Sequence, residues 1–351
     1  MRATLLLLAA LLTLPAPAGA ADAGTFQKPE KVKPPKRQPL DERPVCTQQQ
    51  KTAPLDPEGV YRCRGVPFEV ALEPGKTYEQ TFGRGWLSIQ LGTADSIAVV
   101  SYKPAPWVLQ PGREKEQESY AKKFLEAIGA QGLVLSEPQP YEQAGAEDAR
   151  RVEFEFGPPE RHFVGESRSF FVRGWFVNMM LAGLEGSDLR RGGKGAKALF
   201  ASLRVVESPG ALAYRFAGGE TLDLPPESWL LQGRYYVPST GAFLSLGEGP
   251  SPKPCDALDE ADWAKITGDV APRDAPGKVH FQDSRWLRHK KQRLFLARAR
   301  TDIGGGKLVP GAAAVTCREG RLYQVFALDT EKRLPDLALD TARLLLTLEK
   351  P

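Results

Sequence analysis

The chain has 351 residues, 47 Lys and Arg against 43 Asp and Glu, and a formal net charge of +4. A length beyond one ordinary domain, with 42% hydrophobic residues, fits two cores and excludes a disordered chain. Near-balanced charge argues against nucleic acid as a partner, because that footprint needs clustered cations, and no later apolar run is long enough to expect a membrane span.

The first twenty residues say where the rest is expected to work. Arg2 precedes an apolar run, Leu5 to Leu8 with Ala9, Ala10, Leu11 and Leu12, and Ala18-Gly19-Ala20 offers the small residues of a signal-peptidase site. Pro15 and Pro17 interrupt the run, so residues 1–20 read as a cleaved signal peptide and not as an anchor. No Cys follows the run directly, so a lipid anchor is not expected. Usage rich in Ala, Gly, Pro, Leu and Arg, with three Met, fits a bacterial chain encoded by GC-rich DNA. The expected destination is the periplasm or the outside of the cell.

Residues 21–45 read as a Pro/Lys-rich linker, disordered for want of apolar area to bury. Lys28 to Arg37 holds a single aliphatic residue, Val32, and Pro favours an extended, solvated spacer. The competing reading is a basic arm that touches an anionic surface. Four cysteines follow, Cys46, Cys63, Cys255 and Cys317. An even count in an oxidising compartment favours disulfides, with three possible pairings. Cys46–Cys63 and Cys255–Cys317 are preferred because each pair then lies within one proposed unit. A metal site is the alternative, weakened by the lack of any CxxC spacing.

Domain one is expected over 46–208. Val66 to Leu72, Trp86 to Leu91 and Ser96 to Tyr102 alternate as strands, the last dense enough for a central one. Glu114 to Ala130 is the clearest helix, acidic at its start, with Tyr120, Ala121, Phe124, Leu125 and Ile128 on one face. Strands return at Gly132 to Leu135, Ala149 to Phe156, Arg168 to Arg173 and Trp175 to Ala182, with a hairpin at Arg173-Gly174. A helix over Gly195 to Val206, extended at its end, closes the unit. Domain two is expected over 209–351. Strands at Ser228 to Leu231, Arg234 to Val237 and Ala242 to Leu246 precede a helix over Asp256 to Ile266. Further strands are Val279 to Phe281, Arg293 to Ala299, Ala312 to Cys317 and Arg321 to Leu328, with a turn over Asp302 to Gly306. Leu337 to Leu348 is the closing helix.

The two endings match in pattern. Gly174 to Ala182 aligns with Gly320 to Leu328, and the following helices align Ser202 with Thr347, the two offsets differing by one residue. Two copies of one α+β unit are therefore expected. The Arg-Gly-Trp-Phe-Val-Asn-Met-Met-Leu-Ala hairpin, from Arg173 to Ala182, leads through a polar loop to a helix ending Phe200 to Val206. This ending resembles that of PsbP-like domains. The resemblance covers the last third of each unit and implies an antiparallel sheet flanked by helices, used for binding or assembly. It carries no functional residue across, and Thr347 departs from the Ser found in the first copy.

The chain offers little chemistry. His162, His280 and His289 lack partners at metal-ligand spacing, no GxSxG elbow occurs, and Gly192 to Lys197 and Gly304 to Lys307 lack phosphate-loop spacing. The carboxylate pairs Asp259/Asp262 and Glu114 to Glu118 suit helix starts. No cofactor and no metal are expected. Trp286, Arg288, His289, Lys290, Lys291 and Arg293 form the one binding candidate. They read either as a solubilising loop between strands or as a site for an anionic glycan, lipopolysaccharide or nucleic acid, nucleic acid being disfavoured. Trp86, Trp107, Trp229 and Trp263 could stack on sugars, although burial in a core suits most of them. The expected function is that of an exported, non-enzymatic binding or envelope-assembly protein whose partner is a protein or an anionic glycan. An exported polymer hydrolase with an acidic site is the alternative.

Overall fold

Two large antiparallel sheets carry the fold, each covered on both faces. The computed structural model describes residues 30–36, 38–44, 50–72, 77–83, 86–105, 113–207, 210–231, 234–270, 278–302, 308–329 and 336–349. The leader 1–20, Cys46, Trp107 and the Gly304 turn lie outside them, as do the side chains of Trp86, Glu114, Glu116 and Glu118.

In chain order the first half comprises β1 (Glu30–Lys31), β2 (Val60–Arg62), β3 (Phe68–Ala71), β4 (Glu79–Gly83), β5 (Trp86–Gly92), β6 (Ser96–Pro104), α1 (Arg113–Ala127), β7 (Val134–Leu135), β8 (Gln139–Pro140), β9 (Glu147–Phe156), β10 (Phe163–Val172), β11 (Trp175–Leu184), α2 (Lys194–Ser202) and β12 (Arg204–Val205). The second comprises β13 (Leu212–Arg215), β14 (Thr221–Leu224), β15 (Trp229–Leu231), β16 (Arg234–Val237), β17 (Ala242–Pro250), α3 (Glu260–Asp269), β18 (Val279–His289), β19 (Gln292–Asp302), β20 (Leu308–Arg318), β21 (Arg321–Asp329) and α4 (Leu337–Leu345).

The sheets run β4-β5-β6-β11-β10-β9-β7 and β15-β16-β17-β21-β20-β19-β18, the second extended by β1. Read this way they have the same order: a meander of three strands, a helix, then hairpin-linked strands whose last member inserts beside the third. The small hairpins correspond too. β2-β3 takes β12 from beyond α2, and β13-β14 takes a bridge from Glu349 beyond α4. The turns after β10 and β20 are both residue-glycine pairs with positive φ, Arg173-Gly174 (44° and 83°) and Glu319-Gly320 (49° and 75°). Such two-residue turns match the twist of the strands they join. The aligned hydroxyls do the same work. Ser202 Oγ accepts from Ala71 N–H at 3.2 Å and donates to the Leu199 carbonyl at 2.8 Å. Thr347 Oγ1 accepts from Asp223 N–H at 3.0 Å and donates to the Leu344 carbonyl at 2.7 Å.

Alternation along the central strands builds a core on each face. In the first sheet Val100, Val177 and Phe170 pack with Leu199 and Phe200 of α2. Val99, Met180 and Phe154 face the other way, onto Ala121 and Leu125 of α1. In the second sheet Leu296, Ala314 and Val325 meet Ala338, Ala342 and Leu345 of α4. Trp286, Phe295 and Phe326 meet Trp263 and Ile266 of α3. Cys255 and Cys317 are joined by a disulfide that pins the approach to α3 onto β20, and Cys63 is buried and disulfide-bonded.

The halves meet through side chains of both. Trp229 of β15 packs edge-on against Trp175 (centroids 5.1 Å) and Tyr102 (6.2 Å) of the first core. Gly174, at positive φ, abuts the Pro238 carbonyl, where an added Cβ would collide. Arg173 Nε donates to the buried Glu227 at 2.6 Å. Asp41, also buried, accepts from Arg43 at 2.7 Å and from Gly65 N–H at 3.0 Å.

Several sequence expectations shift in extent. The first long helix stops at Ala127, and Gly129 follows at φ 80°. The helix expected over Asp256 to Ile266 begins at Glu260, where Asp259 and Asp262 form a reciprocal capping box. The largest difference is β18, expected only at Val279 to Phe281, which runs on to His289 and so takes in Trp286 to His289, residues read as a possible loop. The linker differs as well. Glu30 and Lys31 pair in parallel with Leu287 and Arg288 of β18, and Leu40 bridges Ala211. A spacer reading rests on side-chain composition, whereas this docking uses backbone groups, which composition does not report.

Candidate functional site

The six residues singled out in the sequence occupy one β-hairpin. His289 pairs with Gln292, so Lys290-Lys291 is the two-residue turn between β18 and β19, with Lys290 at φ 52°. Pairing of Arg288 with Arg293 puts the two residues on the same face of the hairpin.

Their environments differ. Trp286 is 6% exposed. It lies edge-on to Trp263 (5.3 Å) and Phe295 (5.0 Å), so it anchors α3 to the sheet and offers no open stacking face. Trp263 is likewise core. Arg293 lies 4.7 Å over the Trp286 ring, a cation–π contact that holds its charge at the surface. Arg288 is exposed, and its Nε donates to the Lys290 carbonyl at 2.8 Å, bracing the turn. Lys290 and Lys291 are exposed. His289 is half-buried, and its Nδ1 lies 3.1 Å from the Val32 carbonyl. A carbonyl can only accept, so Nδ1 carries the proton there.

That last bond shows what sequence reasoning kept apart. The basic lead-in and the basic hairpin are one surface. Lys31 is the register partner of Arg288, and Val32 N–H donates to the Arg288 carbonyl at 3.2 Å. Lys31 and Lys33 are exposed beside the hairpin. Lys31, Lys33, Arg288, Lys290, Lys291 and Arg293 thus gather at one sheet edge. Among the described residues none of them has a carboxylate within ion-pair distance. Such a concentration of unpaired cations attracts anions over the range of a Debye length.

The other titratable candidates are dispersed. His162 Nε2 lies 3.9 Å from Glu155, and His280 is exposed on β18. Asp262 serves the capping box and accepts from Lys253 at 2.7 Å. Among the described residues no group of three His, Cys, Asp or Glu could hold a metal ion, and no helix is long and apolar enough to cross a membrane.

No family model matches the chain, and no curated protein matches it. Among solved structures, it is similar to cyanobacterial PsbP (CyanoP) from Synechocystis sp. PCC 6803. The identity is 13% and the TM-score 0.32, over 40% of this chain and 92% of that one. It is also similar to DynU16, a protein of the dynemicin biosynthetic locus, at 11% identity and TM-score 0.16, over 73% and 95% of the two chains. A third likeness is to the dehydratase domain of the CurJ module of curacin polyketide synthase, at 14% identity and TM-score 0.15, over 68% and 95%. The similarity to PsbP is weak, and none of these likenesses assigns a functional residue.

Proposed function

We propose that this chain is an exported, non-enzymatic binding protein of the cell envelope, built from two α+β units, which engages an anionic glycan through the basic edge formed by β1 and the β18–β19 hairpin. The observation that carries the reading is the convergence of Lys31 and Lys33 with Arg288, Lys290 and Lys291, residues far apart in the sequence, with no carboxylate among the described residues at ion-pair distance from them. Disulfides at Cys63 and Cys255–Cys317 support an oxidising compartment. Of the tryptophans considered for stacking on sugars, Trp263 is core and Trp229 packs against Trp175 and Tyr102, so the sugar-facing role is assigned to the cations.

The test is retention of the full chain on immobilised dextran sulfate, with neutral dextran as control. Retention on the sulfated polymer alone, falling as salt is raised, is expected. Lys290→Asn with Lys291→Gln keeps a residue tolerant of positive φ in the turn and should weaken binding by about tenfold, of the order that long-range electrostatics contributes. Equal retention of wild type and variant, or equal retention on the two polymers, would refute the assignment.

A further inference from the structure

The two halves each hold a groove of nearly equal size at the same place in the fold, and the charges around the two grooves are reversed. The residue-glycine turns at Gly174 and Gly320 fix the correspondence. Counting back along β10 and β20 from those turns sets Val164 opposite Pro310, and Glu166 opposite Ala312. Their register partners on the preceding strands are Glu155 and Glu153 in the first half, and Arg300 and Arg298 in the second.

The first groove, of about 480 Å³, is lined by Glu160, His162, Val164, Glu185 and Arg190. Glu155 flanks it, and Glu153 accepts from Arg191 Nη1 at 3.0 Å, just before α2. The second, of about 490 Å³, is lined by Arg298, Arg300, Leu308, Pro310, Asp336 and Leu337. Here the cation is on the strand and the carboxylate on the approach to the helix. Arg298 Nη2 lies 3.8 Å from Asp336 Oδ1.

Asp336 and Asp283, whose Oδ2 lies 3.7 Å from Arg298 Nη1, are shared between Arg285 and Arg298 and leave the charge of Arg300 uncancelled by either. Asp336 Oδ2 accepts from Arg285 at 2.9 Å, and its Oδ1 caps α4 by accepting from Leu339 N–H at 3.1 Å. Arg300 is exposed, and among the described residues it has no carboxylate partner. Beside it on the same face of the sheet is Leu308, 44% exposed, which is a large apolar side chain left open at the groove. A cation next to an open apolar wall is the complement of a molecule with the opposite charge at one end and hydrocarbon at the other.

We infer that the groove between β18–β20 and the start of α4 binds a small organic anion, its carboxylate or phosphate on Arg300 and Arg298 and its apolar part on Leu308, Pro310 and Leu337. The corresponding groove of the first half, with Glu155 and Glu153 at those positions, does not take it. The site is separate from the basic hairpin, because Arg300 is eight strand residues, about 27 Å, from Gln292 at the hairpin turn.

Calorimetric titration of the full chain with octanoate, and with octanamide as the uncharged control, tests this. Saturable octanoate binding with a stoichiometry of one, at least tenfold tighter than octanamide, is expected. Arg300→Glu, which installs the charge of the first half, should abolish octanoate binding and leave both the thermal midpoint and retention on dextran sulfate unchanged. Leu308→Asp should weaken octanoate binding by a similar factor. Phenyl phosphate in place of octanoate separates phosphate from carboxylate preference. The inference is overturned if wild type binds neither anion, if octanoate and octanamide bind alike, or if Arg300→Glu binds octanoate as wild type does.

Discussion

Arg173 and Glu227 show how a single residue can serve both a turn and a junction. Arg173 takes positive φ in the β10–β11 turn, and from there it reaches Glu227 and the Val206 carbonyl. Burial raises the Glu227 carboxyl above its ordinary value, and the hydrogen bond and charge of Arg173, with a smaller contribution from Arg43, recover only part of that cost. Because the folded value is the higher, the contribution to stability is complete below the ordinary carboxylate range and is lost as pH rises through the folded value. Glu227→Gln should therefore leave stability at pH 7.5 unchanged or slightly raised, and flatten its decline above the acid range. Arg173→Ala strands a buried carboxylate and should cost about 2–3 kcal/mol. Urea unfolding of both variants at two pH values reads the difference, and a costlier Glu227→Gln would contradict it. Asp41 slopes the other way. Burial raises its carboxyl, but Arg43 and Gly65 N–H outweigh that and hold it low, so its contribution fades as pH falls. Sequence showed the Arg173-Gly174 turn, because residue-glycine between alternating strands has few other uses. It could not show Glu227 as the partner, which depends on how the halves pack.

At the scale of elements, α3 is held from two sides. Its first turn is closed by the Asp259–Asp262 box, and the Cys255–Cys317 bond ties its approach to β20 across 62 residues. Replacing both cysteines with serine should lower stability by about 4 kcal/mol at most, from the loop entropy returned to the unfolded chain. Denaturant midpoints of oxidised protein and variant give the figure, and coincident midpoints would remove the tether's role. Elements with an inside and an outside were legible: Leu125 and Val100 announce their faces by spacing alone. β18 was legible only at Val279 to Phe281. From Gln282 to Ser284 both faces of this strand are exposed, so it shows no period of two, and basic residues after Trp286 read as a loop. β1 left no trace, since an edge pairing of two residues through backbone groups demands nothing of the side chains. The two opposed grooves required cross-strand register, which a one-dimensional reading lacks.

Across the whole molecule, Trp229 is an apolar link between the halves: it belongs to β15, in the second sheet, yet packs on Trp175 and Tyr102 of the first. Trp229→Ala should cost about 3 kcal/mol through the lost contact and the space left behind. It should also separate melting into two calorimetric steps, because each sheet has its own pair of cores. A single unshifted transition would mean that the halves are coupled elsewhere.

The lead-in strand adds an order in time. Val32 bonds to His289, 257 positions later, so a segment that leaves a ribosome or a translocation pore early is among the last to find its place. Until β18 has been made, Glu30 and Lys31 have no edge on which to dock, and closing so wide a loop is slow beside the local hairpins. A nascent chain halted before β18 would therefore keep the segment around Glu30 to Val32 open to proteases, and the completed molecule would lose that vulnerability late in assembly.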